Sequence, residues 1–307
     1  MNYYLGIDGG GTKTEAALVD ETGRLVAQTL GKASNPLRSS FAHAFTAIDD
    51  VTARALAAAG IEATEVRGIS AGLAGAGQPR VAKRVGAFLT TRFRDAEIET
   101  LMDLEIALET VSAEGAGVVV VAGTGSASFG RDGAGRTARA GGWGPWFSDE
   151  GSAFDIGRGA LVVLARAHDA GAPPGAFETA VAASLGVEDW DEIVDLVLRR
   201  PLVRLPAVFP AVAEAADGGE EAARSVLDQA AESLARLAGV VIRSLELDHS
   251  EFALGRVGGI FGRSTYFDRQ IEERLTRLAA GARLTAAKSS PAMAAAQRAL
   301  RRGIAAG

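Results

Sequence analysis

The chain has 307 residues, 48% of them hydrophobic, and a net charge of −6, which suits two ordinary globular domains. It has no cysteine, which excludes disulfides, thiolate catalysis, iron–sulfur ligation and cysteine-held zinc. Its three histidines, His43, His168 and His249, are too scattered for a His metal site, and its basic residues are too dispersed for a nucleic-acid surface.

The first stretch, Tyr3–Val19, organises the rest. Tyr3 to Ile7 is a short apolar run that reads as a buried strand, with Asp8 at its end. Gly9, Gly10 and Gly11 follow, then Thr12, Lys13 and Thr14, then a second apolar run, Ala16–Val19. Strand, glycine turn, strand is a hairpin. Its tip lacks side chains, so a phosphate can reach backbone N–H groups. An acid beside such a tip can hold Mg²⁺, directly or through water. A Walker A loop is excluded, because Thr12 follows Gly11 where that loop needs Lys. A dinucleotide fingerprint is excluded too, because its glycines must open a helix and here a strand follows. The plain alternative is an ordinary hairpin turn. Asp8 also interrupts the only early apolar run, so no signal peptide is expected. No apolar run reaches the length of a membrane span, and the expected location is the cytoplasm.

Arg24–Leu30 reads as a third strand. Ser34-Asn35-Pro36 reads as a loop, where Asn35 before Pro also suits a plain turn. A helix is expected from Ser39 to Ala59, ended by Gly60. Val66–Ala71 is a strand leading into the small-residue loop Gly72–Gly77. A helix from Gln78 to about Thr90, a strand Glu97–Met102, and a helix opened by Asp103-Leu104-Glu105 complete a βββαβαβα order. Parallel strands joined by helices place ligands at their carboxyl ends, where Asp8 and Asp103 both fall. The plain role for Asp103 is helix N-cap.

The pattern then restarts. Gly117–Ala122 is a buried strand, Gly123-Thr124-Gly125-Ser126 a second small-residue turn, and Ala127–Gly130 and Arg136–Ala140 are strands. This reads as an internal repeat of Tyr3–Leu30, and two such hairpins can clamp one polyphosphate. Gly141 to Ser152 is the most unusual stretch. It sets Trp143 and Trp146 in a glycine loop ahead of Asp149 and Glu150. Aromatics beside carboxylates suit a polar ring with an apolar face. The plain alternatives are core packing for the Trp pair and helix capping for Asp149. A helix Ala153–Ala170 follows, capped by Ser152 or Asp149. Helical spacing continues through Phe177–Leu185, Trp190–Arg199, Pro206–Ala216 and Glu220–Leu247, with Trp190 read as core. Arg199-Arg200-Pro201 and Asp217-Gly218-Gly219 read as loops. Glu251–Val257 is a strand ending in Gly258-Gly259, a pair suited to a flat base or to a tight turn. A helix from Thr265 to about Ala279, a strand Ala282–Thr285 and a helix from Pro291 close the chain.

Together these residues resemble the N-acetylglucosamine kinase family of the sugar kinase, actin and Hsp70 superfamily, close to the BadF/BadG-type activator ATPases. The motifs that carry the resemblance are Gly6 through Thr14, Ala122 through Ser126, and Gly141-Gly142-Trp143-Gly144 through Asp149-Glu150-Gly151-Ser152. The resemblance implies an α/β fold of two ribonuclease H-like (actin-like ATPase) domains around a central cleft. Domain limits of 1–113 and 114–290 follow, with a helical insertion in the second and helix 291–307 packed back on the first. It implies ATP and Mg²⁺ as cofactors and transfer of the γ-phosphate to the 6-hydroxyl of an amino sugar. Gly9, Gly10, Gly11, Thr12 and Lys13 become the first phosphate loop, with Asp8 near Mg²⁺. Gly123, Thr124 and Gly125 become the second. Asn35, Ser126, Gly142, Trp143 and Asp149 become sugar-site residues, Asp103 the base, and Gly258-Gly259 the adenosine-side pair. A small-molecule sugar is then the partner, with no nucleic acid or membrane, and homodimers through the second domain are common in the class.

Ala127 stands where some members carry a polar side chain that touches the sugar. N-acetylglucosamine and glucosamine therefore both stay open. The activator ATPases need cluster-binding cysteines, which are missing here. The Glu-x-Gly-His and cysteine-rich zinc loop of the other large sugar kinase family are missing as well. Two further readings remain: an ATPase module that drives a partner protein by domain closure, and a sugar sensor without turnover. The sensor requires loss of Asp8 or Asp103, and neither is lost.

Overall fold

The structure, a computed structural model, describes residues 1–199 and 205–306. The chain divides into two compact units, Met1–Glu114 with Ala287–Gly307, and Gly115–Ala286.

In the first unit, β1 (Tyr3–Gly9), β2 (Lys13–Asp20) and β3 (Leu25–Lys32) form an antiparallel meander. After α1 (Phe41–Ala59), β4 (Val66–Leu73) joins β1 in parallel. After α2 (Pro79–Arg92), β5 (Glu97–Met102) joins β4 in parallel and leads into α3 (Asp103–Val111). The sheet order is β3-β2-β1-β4-β5. Central β1 is covered on both faces, so it reads as a continuous apolar run. Edge strand β3 is more exposed and mixes polar with apolar residues. Ser40 caps α1 by accepting from the His43 N–H, and Gly60 ends it with φ +68°.

The second unit repeats this topology. β6 (Gly117–Ala122), β7 (Ser126–Arg131) and β8 (Thr137–Gly141) form the meander. β9 (Phe252–Val257) pairs in parallel with β6, and β10 (Ala282–Leu284) with β9. The order β10-β9-β6-β7-β8 matches the first sheet strand for strand. Where the first unit has α1, the second inserts α4 (Ala153–Asp169), α5 (Ala176–Leu185), α6 (Trp190–Arg199), α7 (Phe209–Asp217) and α8 (Glu221–Ser244). Helix α9 (Thr265–Thr276) links β9 to β10. These helices and the sheet share one large apolar core.

Most element limits lie within three residues of those expected. One helix differs in kind. The stretch expected as one helix from Pro206 is a 3₁₀ turn, Leu205–Val208, followed by α7. Pro210 lacks an N–H and cannot sit in a helix interior, so the helix restarts with it in the first turn. Trp190 is half-buried at the edge of the core, stacked on His168 with ring centres 4.7 Å apart. In the loop expected at Arg199-Arg200-Pro201, Arg199 ends α6, while Arg200 and Pro201 lie outside the described residues.

The last helix, α10 (Pro291–Ala306), lies on the first unit's sheet. Its backbone crosses Gly6 so closely that a Cβ there would stand 2.0 Å from the Ala292 carbonyl oxygen. Gly6 is therefore required by helix packing. The helix is also held by charge. Glu109, on α3 and almost wholly buried, accepts from Arg298 at 2.8 Å and Arg301 at 2.6 Å. Glu99 accepts from Arg298, Arg302 and Ser70. Burial alone would raise Glu99, but the Arg298 hydrogen bonds and charge hold it below the usual carboxylate range. Removing one partner of such a pair strands the other's charge. Glu109→Ala is expected to cost about 3 kcal/mol, seen as a lower Tm. An unchanged Tm would mean that water already satisfies the two arginines.

Candidate active site

In the first unit, the turn between β1 and β2 is stitched to two other loops. Gly10 N–H donates to the Lys13 carbonyl at 2.9 Å, Ser34 N–H donates to the Gly10 carbonyl at 3.1 Å, and Ala74 N–H donates to the Gly9 carbonyl at 2.8 Å. The glycine turn, the Asn35 loop and the small-residue loop after β4 therefore lie together. The three glycines differ in why they are glycine. A Cβ on Gly9 would stand 2.1 Å from Leu73 Cδ2 and 2.4 Å from Ser34 Oγ, so packing demands glycine there. A Cβ on Gly10 would meet nothing nearer than the Lys13 carbonyl oxygen at 3.4 Å. Nothing inside the protein crowds position 10, so an outside group can approach the turn there. Thr12 and Lys13 are exposed, and Lys13 Nζ lies 3.6 Å from Glu15.

Asp8 stands at the end of β1, paired in register with Glu15 on β2 and Gly72 on β4. Asp103 begins α3 directly after β5. Burial, and then the neighbouring Asp103 and Glu15 carboxylates, push Asp8 up to about 7, against a smaller opposing pull from Lys13. Glu15 is buried and accepts from Gln28 and Ser290, each at 2.6 Å. The sequence reading missed Glu15, although an acid inside an apolar strand run was the available signal. Asp103 occupies the first helical position, not the N-cap. Met102 is the N-cap residue, and its N–H donates to Glu105 Oε2 at 2.8 Å. Asp103 is therefore not the N-cap residue, although its Oδ1 accepts from the first-turn Leu104 N–H at 3.0 Å. Asn35 does form a turn, since its Oδ1 accepts from the Leu37 N–H at 2.9 Å.

Among the described residues, no three His, Cys, Asp or Glu side chains group as a metal cage. Mg²⁺ does not need one. It is commonly held by one or two carboxylates together with substrate phosphates and water. Asp8, whose neighbours include two carboxylates and one lysine, fits that donor set.

The acid's raised value has a consequence for stability. The folded protein keeps the Asp8 proton to about pH 7, whereas an unperturbed Asp loses it near 3.8. The folded state thus binds more protons between those values, and its stability falls as pH rises through that window. Asp8→Asn should therefore raise Tm above pH 7, by at most about 4 kcal/mol in stability, and should change little below pH 4. A Tm gain that does not depend on pH would contradict this.

In the second unit, the turn between β6 and β7 is braced from the Trp loop. Gly123 N–H donates to the Gly125 carbonyl, and Ala153 N–H, at the start of α4, donates to the Gly123 carbonyl, each at 2.9 Å. Asp149 Oδ1 accepts from Ser126 N–H at 3.3 Å, and Ser126 Oγ donates to the Glu150 carbonyl at 2.7 Å. A Cβ on Gly125 would lie 2.8 Å from the Asp149 carboxylate. Asp149 is buried with φ +64°, a conformation Asp tolerates better than most residues. Ser152, not Asp149, caps α4. Ser126 and Asp149, both read as sugar-site residues, are thus bonded to each other.

Trp143 and Trp146 are not core residues, being 68% and 72% exposed. The Arg139 guanidinium lies 4.6 Å from the Trp143 ring centre and donates to the Gly142 carbonyl at 2.8 Å. At the end of β9, Gly258 has φ +136° and a Cβ there would stand 1.9 Å from the Ala122 carbonyl oxygen, so the fold itself requires that glycine. Gly259 has nothing within 4 Å of such a Cβ. It lines a cavity of about 600 Å³ with Phe209, Pro210, Ala213, Glu214 and Arg263. Sequence reading named only the glycine pair here, because the helical residues become neighbours of it only through folding.

Within each unit the named residues therefore gather at the carboxyl ends of the parallel strands. Asp8, the Gly9–Lys13 turn, Asn35 and Asp103 do so in the first. Gly123, Thr124, Gly125, Ser126, Gly142, Trp143, Asp149, Gly258 and Gly259 do so in the second. No described helix is long and apolar enough to cross a membrane.

Known proteins are similar to this chain in sequence and in fold. The chain is 25% identical over 268 residues to the N-acetylmuramic acid/N-acetylglucosamine kinase of Clostridium acetobutylicum, covering 87% of this chain and 88% of that one. It is 26% identical over 319 aligned positions to the N-acetyl-D-glucosamine kinase of Dictyostelium discoideum, covering 97% of each. A crystal structure from Chromobacterium violaceum, described as a candidate N-acetylglucosamine kinase, superposes with a TM-score of 0.77 at 24% identity, covering 97% of this chain and 99% of that one. A ROK family glucokinase from Streptomyces griseus, in complex with glucose and AMPPNP, superposes with a TM-score of 0.63 at 18% identity, covering 98% and 100%. The two structures speak to the fold, which is α/β with two ribonuclease H-like units of the actin-like ATPase kind. The sequence profile of the BadF/BadG/BcrA/BcrD ATPases matches residues 5–298, and the chain belongs to that family.

Proposed function

We propose that this protein is an ATP-dependent kinase that transfers the γ-phosphate to the 6-hydroxyl of N-acetylglucosamine or glucosamine. The observation that carries the reading is the near full-length similarity to two relatives, both named as N-acetylglucosamine kinases. The glycine turns agree with it, because phosphoryl transfer depends on positioning and charge neutralisation more than on covalent chemistry.

In this reading the Gly9–Gly11 turn, uncrowded at Gly10, and the Gly123–Gly125 turn hold phosphate oxygens, helped by Thr12, Thr124 and Lys13. Asp8 takes Mg²⁺, directly or through water. The ion supplies neutralisation of phosphate charge. Asp103 accepts the proton of the sugar hydroxyl. Asn35 and Trp143 bind the sugar, with Gly142 beside Trp143. Ser126 and Asp149 fix the second turn as well as facing the sugar. The base of ATP lies in the cavity beside Gly258-Gly259, against Phe209 and Pro210. The acceptor is then a free small molecule and the setting is the cytoplasm, where ATP is available. Association into a homodimer is compatible with this reading.

A coupled ADP-release assay tests it, run over N-acetylglucosamine, glucosamine and neutral hexoses, with and without Mg²⁺. ADP release that depends on an amino sugar and on Mg²⁺ is expected. Equal release with and without every sugar would instead favour an ATPase module that drives a partner protein.

A further inference from the structure

We propose that Arg38 is a catalytic residue that holds the terminal phosphoryl group of ATP at the first glycine turn. The proposal rests on the kinase reading above, and four observations carry it.

First, the Arg38 side chain lies on the turn. A Cβ on Gly11 would stand 3.2 Å from Arg38 Nη1 and 3.6 Å from Cζ, so the guanidinium covers that glycine. Second, Arg38 is exposed and has no ion-pair partner among the described residues. Arg24, Arg54 and Arg92 of the same unit each hold a carboxylate. Third, its backbone is fixed to the turn. Arg38 N–H donates to the Asn35 carbonyl at 3.2 Å, and the adjacent Ser34 N–H donates to the Gly10 carbonyl at 3.1 Å. Fourth, the local charge calls for a cation. Asp8 lies near Asp103 and Glu15, and Lys13 lies against Glu15. Arg38 is thus a cation at the tip that no protein carboxylate neutralises.

A guanidinium suits this task because its planar fork matches two phosphate oxygens. In the transfer, the sugar hydroxyl oxygen forms a bond to the γ-phosphorus. The bond from that phosphorus to the β–γ bridging oxygen breaks, and ADP leaves with the electron pair. The hydroxyl proton passes to Asp103. Arg38 holds the equatorial oxygens of the moving group throughout. It sits one loop residue from Pro36-Leu37 and three from Asn35, between the phosphate turn and a residue assigned to the sugar.

Arg38→Met and Arg38→Lys test this. The measurements are kcat for the sugar, affinity for ADP and for a nonhydrolysable ATP analogue by calorimetry, and Tm. Arg38→Met should lower kcat by about 10³-fold, the lower end of what a phosphate-clamping arginine supplies. Analogue affinity should fall about tenfold, ADP affinity should hold, and Tm should hold because the side chain is exposed. Arg38→Lys should recover part of the loss by keeping the charge. Unchanged kcat and unchanged analogue binding in Arg38→Met would overturn the proposal. So would a loss confined to the KM of sugars bearing a carboxylate, which would make Arg38 a reader of an anionic substituent. The binding arm needs no turnover, so it reads Arg38 even if no sugar proves to be a substrate and the kinase reading fails.

Discussion

Asp103→Asn is expected to fold normally and to lose about 10²–10⁴-fold in kcat, the usual worth of a positioned general base. The geometry makes the test clean. Asp103 is the first residue of α3, and the cap is supplied by Met102 and Glu105, so capping survives the substitution. Its Oδ1 accepts from the Leu104 N–H at 3.0 Å, a bond an amide oxygen can keep. The variant loses a negative charge near a helix N-terminus, worth about 0.3–1 kcal/mol. Against that, it removes one of the carboxylates that raise Asp8. The two effects oppose each other, and Tm should move little. ATP affinity should be nearly unchanged, because in the proposed reading the residue faces the acceptor hydroxyl. Measuring kcat, sugar affinity and Tm together checks all of this. A folded variant that keeps more than about a tenth of the rate would move the base elsewhere, with Asp149 next in line. Asp149 is a weaker candidate because its carboxylate is buried against Gly125 and Ser126.

Gly10→Val is the second large effect. It should abolish measurable ATP binding while leaving the protein folded. The turn has space for the new Cβ, with 3.4 Å to its nearest neighbour, the Lys13 carbonyl oxygen. Position 10 is not in a left-handed conformation, so a branched side chain adds little strain. The valine methyls would instead occupy the space where phosphate meets backbone. Losing two charge-assisted hydrogen bonds, at about 1.5–3 kcal/mol each, weakens binding by about 10²–10⁴-fold. Gly9→Val is the contrasting control. Its Cβ would collide with Leu73 and Ser34, so that variant should lose Tm. Calorimetry showing native ATP affinity in Gly10→Val would remove this turn from the nucleotide site.

Much of the fold was legible because its signals are local. β1 and β6 are apolar runs ended by glycine turns, and the strands after each repeat the same order. Buried central strands must be apolar and sharp turns need small residues, so both leave a mark in the sequence. Helical spacing over Pro206–Ala216 reads as one helix, but Pro210 is accepted only in a first helical turn, so the helix starts at Phe209. Trp143 and Trp146 could not be placed from sequence. A large aromatic ring reads the same in a core and in an exposed loop, and only the surrounding chain decides.

By itself, the sequence determined the two repeated hairpins, the acids at strand ends and the lack of thiol chemistry. These depend on residue type and near neighbours alone. The tertiary structure decided what each of those residues touches. It showed that Gly6 and Gly258 are required by close backbone approach, whereas Gly10 and Gly259 are not. It set Glu15 beside Asp8, bonded Asp149 to the second turn, laid Arg38 on Gly11 and returned α10 to the first unit through Glu109 and Glu99. Each of these is a contact between segments distant in the chain, or across a loop whose path no periodicity specifies. Such contacts are fixed by packing, and packing is a property of the folded chain.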